Sequence, residues 1–284
     1  MPNEIYIGVK ASGASISNLA RFTKSIVWQD APSADITLLL GADAAFDRVA
    51  YLEAVHRSLA ERPNVAVRFV EHDPNPGAGH AHNILGGHAA SVGDGLYIGA
   101  DPDGIFHHGA IAALIRASEK RPPNTLFECM RFPEERPNLY DQDSWETAWC
   151  ARSSFAIAAR FFVAAGGFDE NLTACEDVDL SWRVRLSGGL CVLVPTALFY
   201  QAAPSTEACA ESQAERLTSG RYLASKWHHP TFLKAVEAEM LSGGVPFEDR
   251  HLAQEDAFLQ QYRRDDIERV CDFSRGFHFS PTRW

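Results

Sequence analysis

The chain has 284 residues, 46% hydrophobic and 22% charged, with a formal net charge of -11. This is globular composition with enough length for a sizeable core. The acidic balance excludes attachment to nucleic acid or to an anionic membrane surface through bulk charge. It leaves anionic small ligands open, because a bound divalent cation reverses the local sign.

Residues 4–9 are apolar and read as a strand. No basic region precedes a long apolar run, so no signal peptide is expected, and no stretch approaches the roughly 18 apolar residues of a spanning helix. The spacing of Ile16, Leu19, Ala20, Ile26 and Val27 predicts a helix over 15–28. A strand follows at 35–40, then a helix at 47–62 carrying Val49, Leu52, Val55 and Leu59 on one side. Residues 65–70 read as a third strand, and 82–92 as a helix after a glycine-rich turn. Residues 95–99 read as a short buried strand ending at Asp101-Pro102-Asp103, and 109–120 as a helix. Strands alternating with helices predict an α/β fold: a mostly parallel sheet flanked by helices.

Past Pro122 the pattern changes. Residues 125–131 read as a strand, and 132–143, rich in Pro, Glu and Asn, as a mobile loop. Residues 145–157 are apolar and aromatic, and Trp145, Trp149 and Phe155 suit either a core or a sugar-stacking face. Gly166-Gly167-Phe168-Asp169-Glu170 and Glu176-Asp177-Val178-Asp179 precede a helix at 180–186, stopped by Gly188-Gly189. A last strand reads at 190–194, and the chain turns polar and helical from about 205. The six cysteines are scattered without CxxC spacing, which suits reduced, mostly buried thiols in a cytoplasmic protein.

Three segments carry chemistry. Asp101 and Asp103 close an apolar strand, and ligands of open α/β sheets gather outside the carboxyl ends of strands. Two carboxylates placed there can share Mg2+ or Mn2+, which favour oxygen ligands; a plain strand-end turn is the alternative. Glu176, Asp177 and Asp179 put three carboxylates in four residues, more than helix capping needs. Their mutual repulsion is relieved by a cation or a proton, and one of them suits a general base. The turn from Asn75 to Asn83 lets backbone approach a ligand, but lacks both GxGxxG and GxxxxGK[ST] spacing.

In this order the segments resemble the family 2 glycosyltransferases of the GT-A fold, and most of all their bacterial rhamnosyltransferase-like branch. The matching residues are Asn75, Gly77, Gly79 and Asn83; Asp101 and Asp103; 166–170; Glu176, Asp177, Asp179, Leu180 and Arg183; and Gly188. The resemblance covers about residues 4–200. It implies a GT-A domain over 1–204, with a donor half to about 104 and an acceptor half beyond it, and a helical extension over 205–284. It further implies inverting transfer of a sugar from a nucleotide-sugar, UDP- or dTDP-linked, to a saccharide or glycoconjugate hydroxyl. Asp103 would hold Mn2+ or Mg2+ on the donor diphosphate, with Asp101 on the metal's water, the ribose or the sugar. Asp177 would be the base. Glu176, Asp179 and Trp149 would face the acceptor, Asn83 and Asp43 would contact the donor, and Arg183 would brace the acidic segment or touch phosphate. The family's late metal-binding His has no counterpart, for the chain reads Phe199-Tyr200-Gln201 there. Two other readings use the same residues: a nucleotide-sugar-binding module without catalysis, and a metal-dependent hydrolase or nucleotidyltransferase.

Overall fold

The structure is a computed structural model. It describes residues 4–30, 35–43, 46–62, 64–73, 77–132, 141, 143–201, 206–246 and 256–271, with the backbone alone over 206–213. Asn75, Pro76, most of the 132–143 segment and the tail beyond 271 lie outside the described residues.

Eight strands form one sheet: β1 (Glu4–Lys10), β2 (Asp35–Ala42), β3 (Val65–Glu71), β4 (Leu96–Ala100), β5 (Gly104–Phe106), β6 (Thr125–Phe132), β7 (Ser154–Ala158) and β8 (Leu190–Gln201). Their order is β3-β2-β1-β4-β7-β6-β8-β5. β3, β2, β1 and β4 run parallel, as do β6 and β8, while β7 lies antiparallel between β4 and β6, and β5 antiparallel at the edge. The helices are α1 (Ile16–Val27), α2 (Arg48–Leu59), α3 (Ala78–Val92), α4 (Ala110–Lys120), α5 (Ala159–Ala164), α6 (Glu176–Leu186), α7 (Thr206–Lys226), α8 (Pro230–Gly243) and α9 (Arg264–Val270).

Strand periodicity sorts the core into two layers. Ile5, Ile7 and Val9 of β1 and Leu38 and Leu40 of β2 face α1 and α2, where Leu19, Phe22 and Val55 complete one cluster. Tyr6, Leu39 and Tyr97 point the other way, onto Leu85 of α3, Phe162 of α5 and Leu180 of α6. Both faces are covered, so the strands are nearly continuous in apolar residues. A third cluster joins Val178 and Trp182 of α6 to Leu223, Trp227, Leu259, Ile267 and Val270 from the C-terminal segment.

Four elements depart from the sequence reading. β5 and β7 are short antiparallel strands without a period of their own, and β7 overlaps the end of the apolar 145–157 run. α3 starts at Ala78, so the second part of the glycine-rich turn already belongs to the helix; a Cβ at Gly79 would lie 3.1 Å from Phe168 Cβ, a tight approach. α6 starts at Glu176, so the acidic segment is its first turn.

Candidate active site

The carboxylates converge at the C-terminal ends of the parallel strands. Asp101 follows β4, and its backbone N–H continues the β4–β7 ladder by donating to Ser153 O at 3.0 Å. This register sets Arg152 beside Asp101. Arg152 Nη1 lies 2.7 Å from Asp101 Oδ1, and its Nε 2.6 Å from Glu176 Oε1. Its backbone N–H donates to Asp177 Oδ2 at 3.3 Å, while Asp177 Oδ1 accepts from Val178 N–H at 2.9 Å. Glu176 and Asp177 thus reach Asp101 through one arginine.

The β5–β8 register places Gln201 opposite Gly104. From there its amide nitrogen donates to Asp101 Oδ2 at 3.2 Å and to Asp103 Oδ1 at 3.1 Å. Both oxygens of Asp101 are therefore bonded within the protein. Asp103 is exposed.

Glu176 is buried at the N-terminus of α6, where the helix dipole favours its charge. Burial nevertheless raises its carboxyl from 4.5 to about 7; Arg152 opposes the rise and Asp177 adds to it. Cys175, which precedes it, holds φ at 62° in the left-handed region, a strained geometry of the kind found at functional sites. Behind Asp101, His82 is buried and its Nδ1 lies 2.8 Å from the Tyr97 hydroxyl. Burial, reinforced by Arg152, lowers it to about 3, so it is a neutral wall residue at physiological pH.

Several expected ligand contacts are used by the protein itself. Asn83 is taken up by the 166–170 turn: its amide donates to Phe168 O and Glu170 Oε1, both at 2.9 Å, and its oxygen accepts Phe168 N–H at 2.7 Å. Gly166 and Gly167 in that turn have φ of 86° and 62°, which side chains rarely tolerate. Asp179, expected at the acceptor, is fully buried between Arg183 at 2.7 Å and Lys226 at 2.9 Å, and accepts Trp227 Nε1–H at 2.9 Å. Arg183 also donates to Gly167 O at 2.8 Å and Ala165 O at 3.2 Å, tying α6 to the same turn. Trp149 is buried in the cluster with Trp182 and Trp227. Asp179, Arg183 and Trp149 are buried, whereas Asn83 is half-buried with its amide engaged by the turn. Asp43, just past β2, lies close enough to Lys10 at the end of β1 to favour the charge of that ammonium.

Three residues of the site carry no sequence signal of their own: Arg152, Lys10 and Lys226. Gln201 was visible only as a substitution for an expected His.

No family model matches the chain, and no curated protein matches it in sequence. Solved structures do. The mannosyltransferase PcManGT from Pyrobaculum calidifontis, in complex with GDP-Man and Mn2+, superposes with a TM-score of 0.62 at 17% identity, over 88% of this chain and 77% of that one. GalNAc-T7 with UDP, GalNAc and Mn2+ gives 0.65 at 15% identity, over 95% of this chain and 54% of that one. S. aureus TarS 1-349 in complex with UDP-GlcNAc gives 0.59 at 12% identity, over 85% of this chain and 73% of that one. The chain thus spans about half of GalNAc-T7 and larger shares of the other two. The architecture is that of the GT-A glycosyltransferases: a mixed sheet with helices on both faces.

Proposed function

We propose that this chain is a glycosyltransferase that moves a sugar from a nucleotide-sugar to the hydroxyl of a saccharide or glycoconjugate, with inversion. The observation that carries the reading is the joining, through Arg152, of the strand-end Asp101 to Glu176 and Asp177. It occurs in a fold whose solved neighbours include complexes with GDP-Man, UDP-GlcNAc and UDP. Which base and sugar the donor carries is left to experiment; UDP- and dTDP-sugars are the first to test.

Asp177 is assigned the base. Backbone N–H groups aim both of its oxygens, and it is only half-buried, so an acceptor hydroxyl can reach it. As the acceptor oxygen bonds to the anomeric carbon, its proton passes to Asp177. The bond from that carbon to the diphosphate breaks on the opposite face, and its electron pair leaves with the phosphate oxygen. Glu176 holds Arg152 and so fixes the distance between the base and the donor side.

The donor set fits a divalent cation that arrives with the donor. Among the described residues no group of three or more His, Cys, Asp and Glu could hold a metal. Mg2+, however, characteristically binds one or two carboxylates plus substrate phosphates. Exposed Asp103 would supply one carboxylate. When bound, Mn2+ or Mg2+ would neutralise charge on the leaving diphosphate. Asp101 is less suited, since both its oxygens are engaged.

The test is turnover of UDP-, dTDP- and GDP-sugars with a panel of simple glycoside acceptors, by wild type and Asp177→Asn. Loss of a general base should lower kcat about 100- to 10,000-fold with donor affinity nearly unchanged. Equal turnover by the two proteins would sink the base assignment. Donor binding with no turnover by wild type on any acceptor would favour a nucleotide-sugar-binding module, a reading that the engagement of Asp101 by Arg152 and Gln201 supports.

A further inference from the structure

We propose that Arg152 is a leaving-group residue, a fixed guanidinium that ion-pairs the diphosphate of the donor. The inference rests on the nucleotide-sugar reading and adds to it a second, protein-borne positive charge at the phosphates.

The first ground is placement. Two carboxylates from different parts of the fold grip the guanidinium, Asp101 at 2.7 Å on Nη1 and Glu176 at 2.6 Å on Nε. Among the described residues no partner is seen for Nη2, and the side chain keeps 24% of its surface exposed. A planar fork held on two sides with its third nitrogen open is preorganised for a phosphate oxygen, and the ordering cost is met before the ligand arrives.

The second ground is charge. Asp101, Asp103, Glu176 and Asp177 line this end of the sheet, and a diphosphate approaching four carboxylates is repelled unless cations stand among them. Arg152 is one such cation. Lys10, half-buried at the end of β1, is near enough for the arginine's charge to be felt: burial first, then Arg152, lowers its ammonium from the usual lysine value, and Asp43 offsets part of that. Together the two cations offset part of the negative charge that a diphosphate, the substrate class already proposed, would meet here.

A brace-only role for Arg152 is separable. If the arginine acts only by neutralising Asp101, removing both charges restores phosphate binding. If it touches phosphate, removing both does not.

The experiment is calorimetric titration of the full chain with UDP, dTDP and GDP, and with the matching nucleosides, in chelator and in Mn2+. The proteins are wild type, Arg152→Gln, Arg152→Lys and the Asp101→Asn/Arg152→Gln double variant, each checked by circular dichroism. Wild type should bind a nucleoside diphosphate even in chelator. Arg152→Gln should weaken it about 10- to 100-fold, the worth of one charged hydrogen bond, with nucleoside affinity unchanged. The double variant should stay weak. Arg152→Lys, which keeps the charge and loses the fork, should fall between, and it carries the test should the Gln variant not fold. Unchanged affinity in Arg152→Gln or Arg152→Lys, or recovery in the double variant, overturns the proposal and leaves the nucleotide-sugar reading standing. Wild type that binds no nucleotide under either condition overturns both.

Discussion

At the residue scale the site is a problem of too many carboxylates. Asp101, Glu176 and Asp177 all act on the one guanidinium of Arg152, which leaves surplus negative charge in a part-buried space. A proton relieves it, and Glu176, the most buried of the three, is raised from 4.5 to about 7. The direction sets the sign of the pH dependence. A carboxyl whose folded value lies above its unfolded one contributes stability that is fully present below about 4.5 and lost as pH rises through about 7. Glu176→Gln removes this titration. The melting temperature of wild type minus that of the variant should therefore fall steadily between pH 4.5 and pH 8. Its overall offset reports the lost ion pair, while its slope reports the proton; a flat difference would mean that Glu176 is ionised throughout. The carboxylates themselves were legible as short acidic motifs at a strand end and a helix start. Arg152 was not, because a single arginine inside an apolar run has no pattern, and its role depends on which strand lies beside β4.

At the element scale, close approach of helices to each other and to the sheet depends on particular glycines. Gly86 and Gly87 are neighbours in α3 with opposite surroundings. A Cβ at Gly86 would sit 2.5 Å from the ring of Phe162, itself only 1% exposed and unable to move aside, whereas a Cβ at Gly87 meets nothing within 4 Å. Gly86→Ala should push α3 off α5 and cost about 1–3 kcal/mol, as overpacking does. Gly87→Ala should stabilise by roughly 0.5–1 kcal/mol, since it only removes the helix penalty of glycine. Denaturant unfolding of the two variants checks the pair; two changes of the same sign would mean that α3 does not pack as described. The helix itself was read from the sequence. Its start was not, because glycines weigh against a helix locally.

At the scale of the whole molecule, the C-terminal segment is part of the site's foundation. Lys226, 1% exposed on its side chain, meets Asp169 at 2.7 Å and Asp179 and Asp256 at 2.9 Å. Beside it Trp227 packs on Trp182 with ring centroids 5.2 Å apart. A chain ending at 204 would leave Asp169 and Asp179 without this cation and uncover Val178 and Trp182 of α6. Losing one partner of a buried ion pair costs about 3–5 kcal/mol, comparable to the stability of many whole domains. The full chain should melt in a single transition by calorimetry, and residues 1–204 alone should give none. A sharp transition in the shorter chain would show that the sequence-based boundary near 204 divides two independent units.

The sequence by itself determined the layering of the fold, because alternation between strand and helix periods is a local property and a buried parallel sheet writes itself as apolar runs. It also located the acidic residues, because their spacing is short-range. Tertiary structure decided which of them are taken up by partners within the protein. Asn83 and Asp179 look like ligand contacts in the motif, yet one is bonded into the 166–170 turn and the other is closed under Lys226, partners 85 and 47 residues away in the chain. Arg152 has no place in the motif and Gln201 enters it only where a His is expected, yet antiparallel registers with β4 and β5 set both against Asp101. Such pairings depend on strand order, and strand order depends on contacts between distant parts of the chain that no local spacing records.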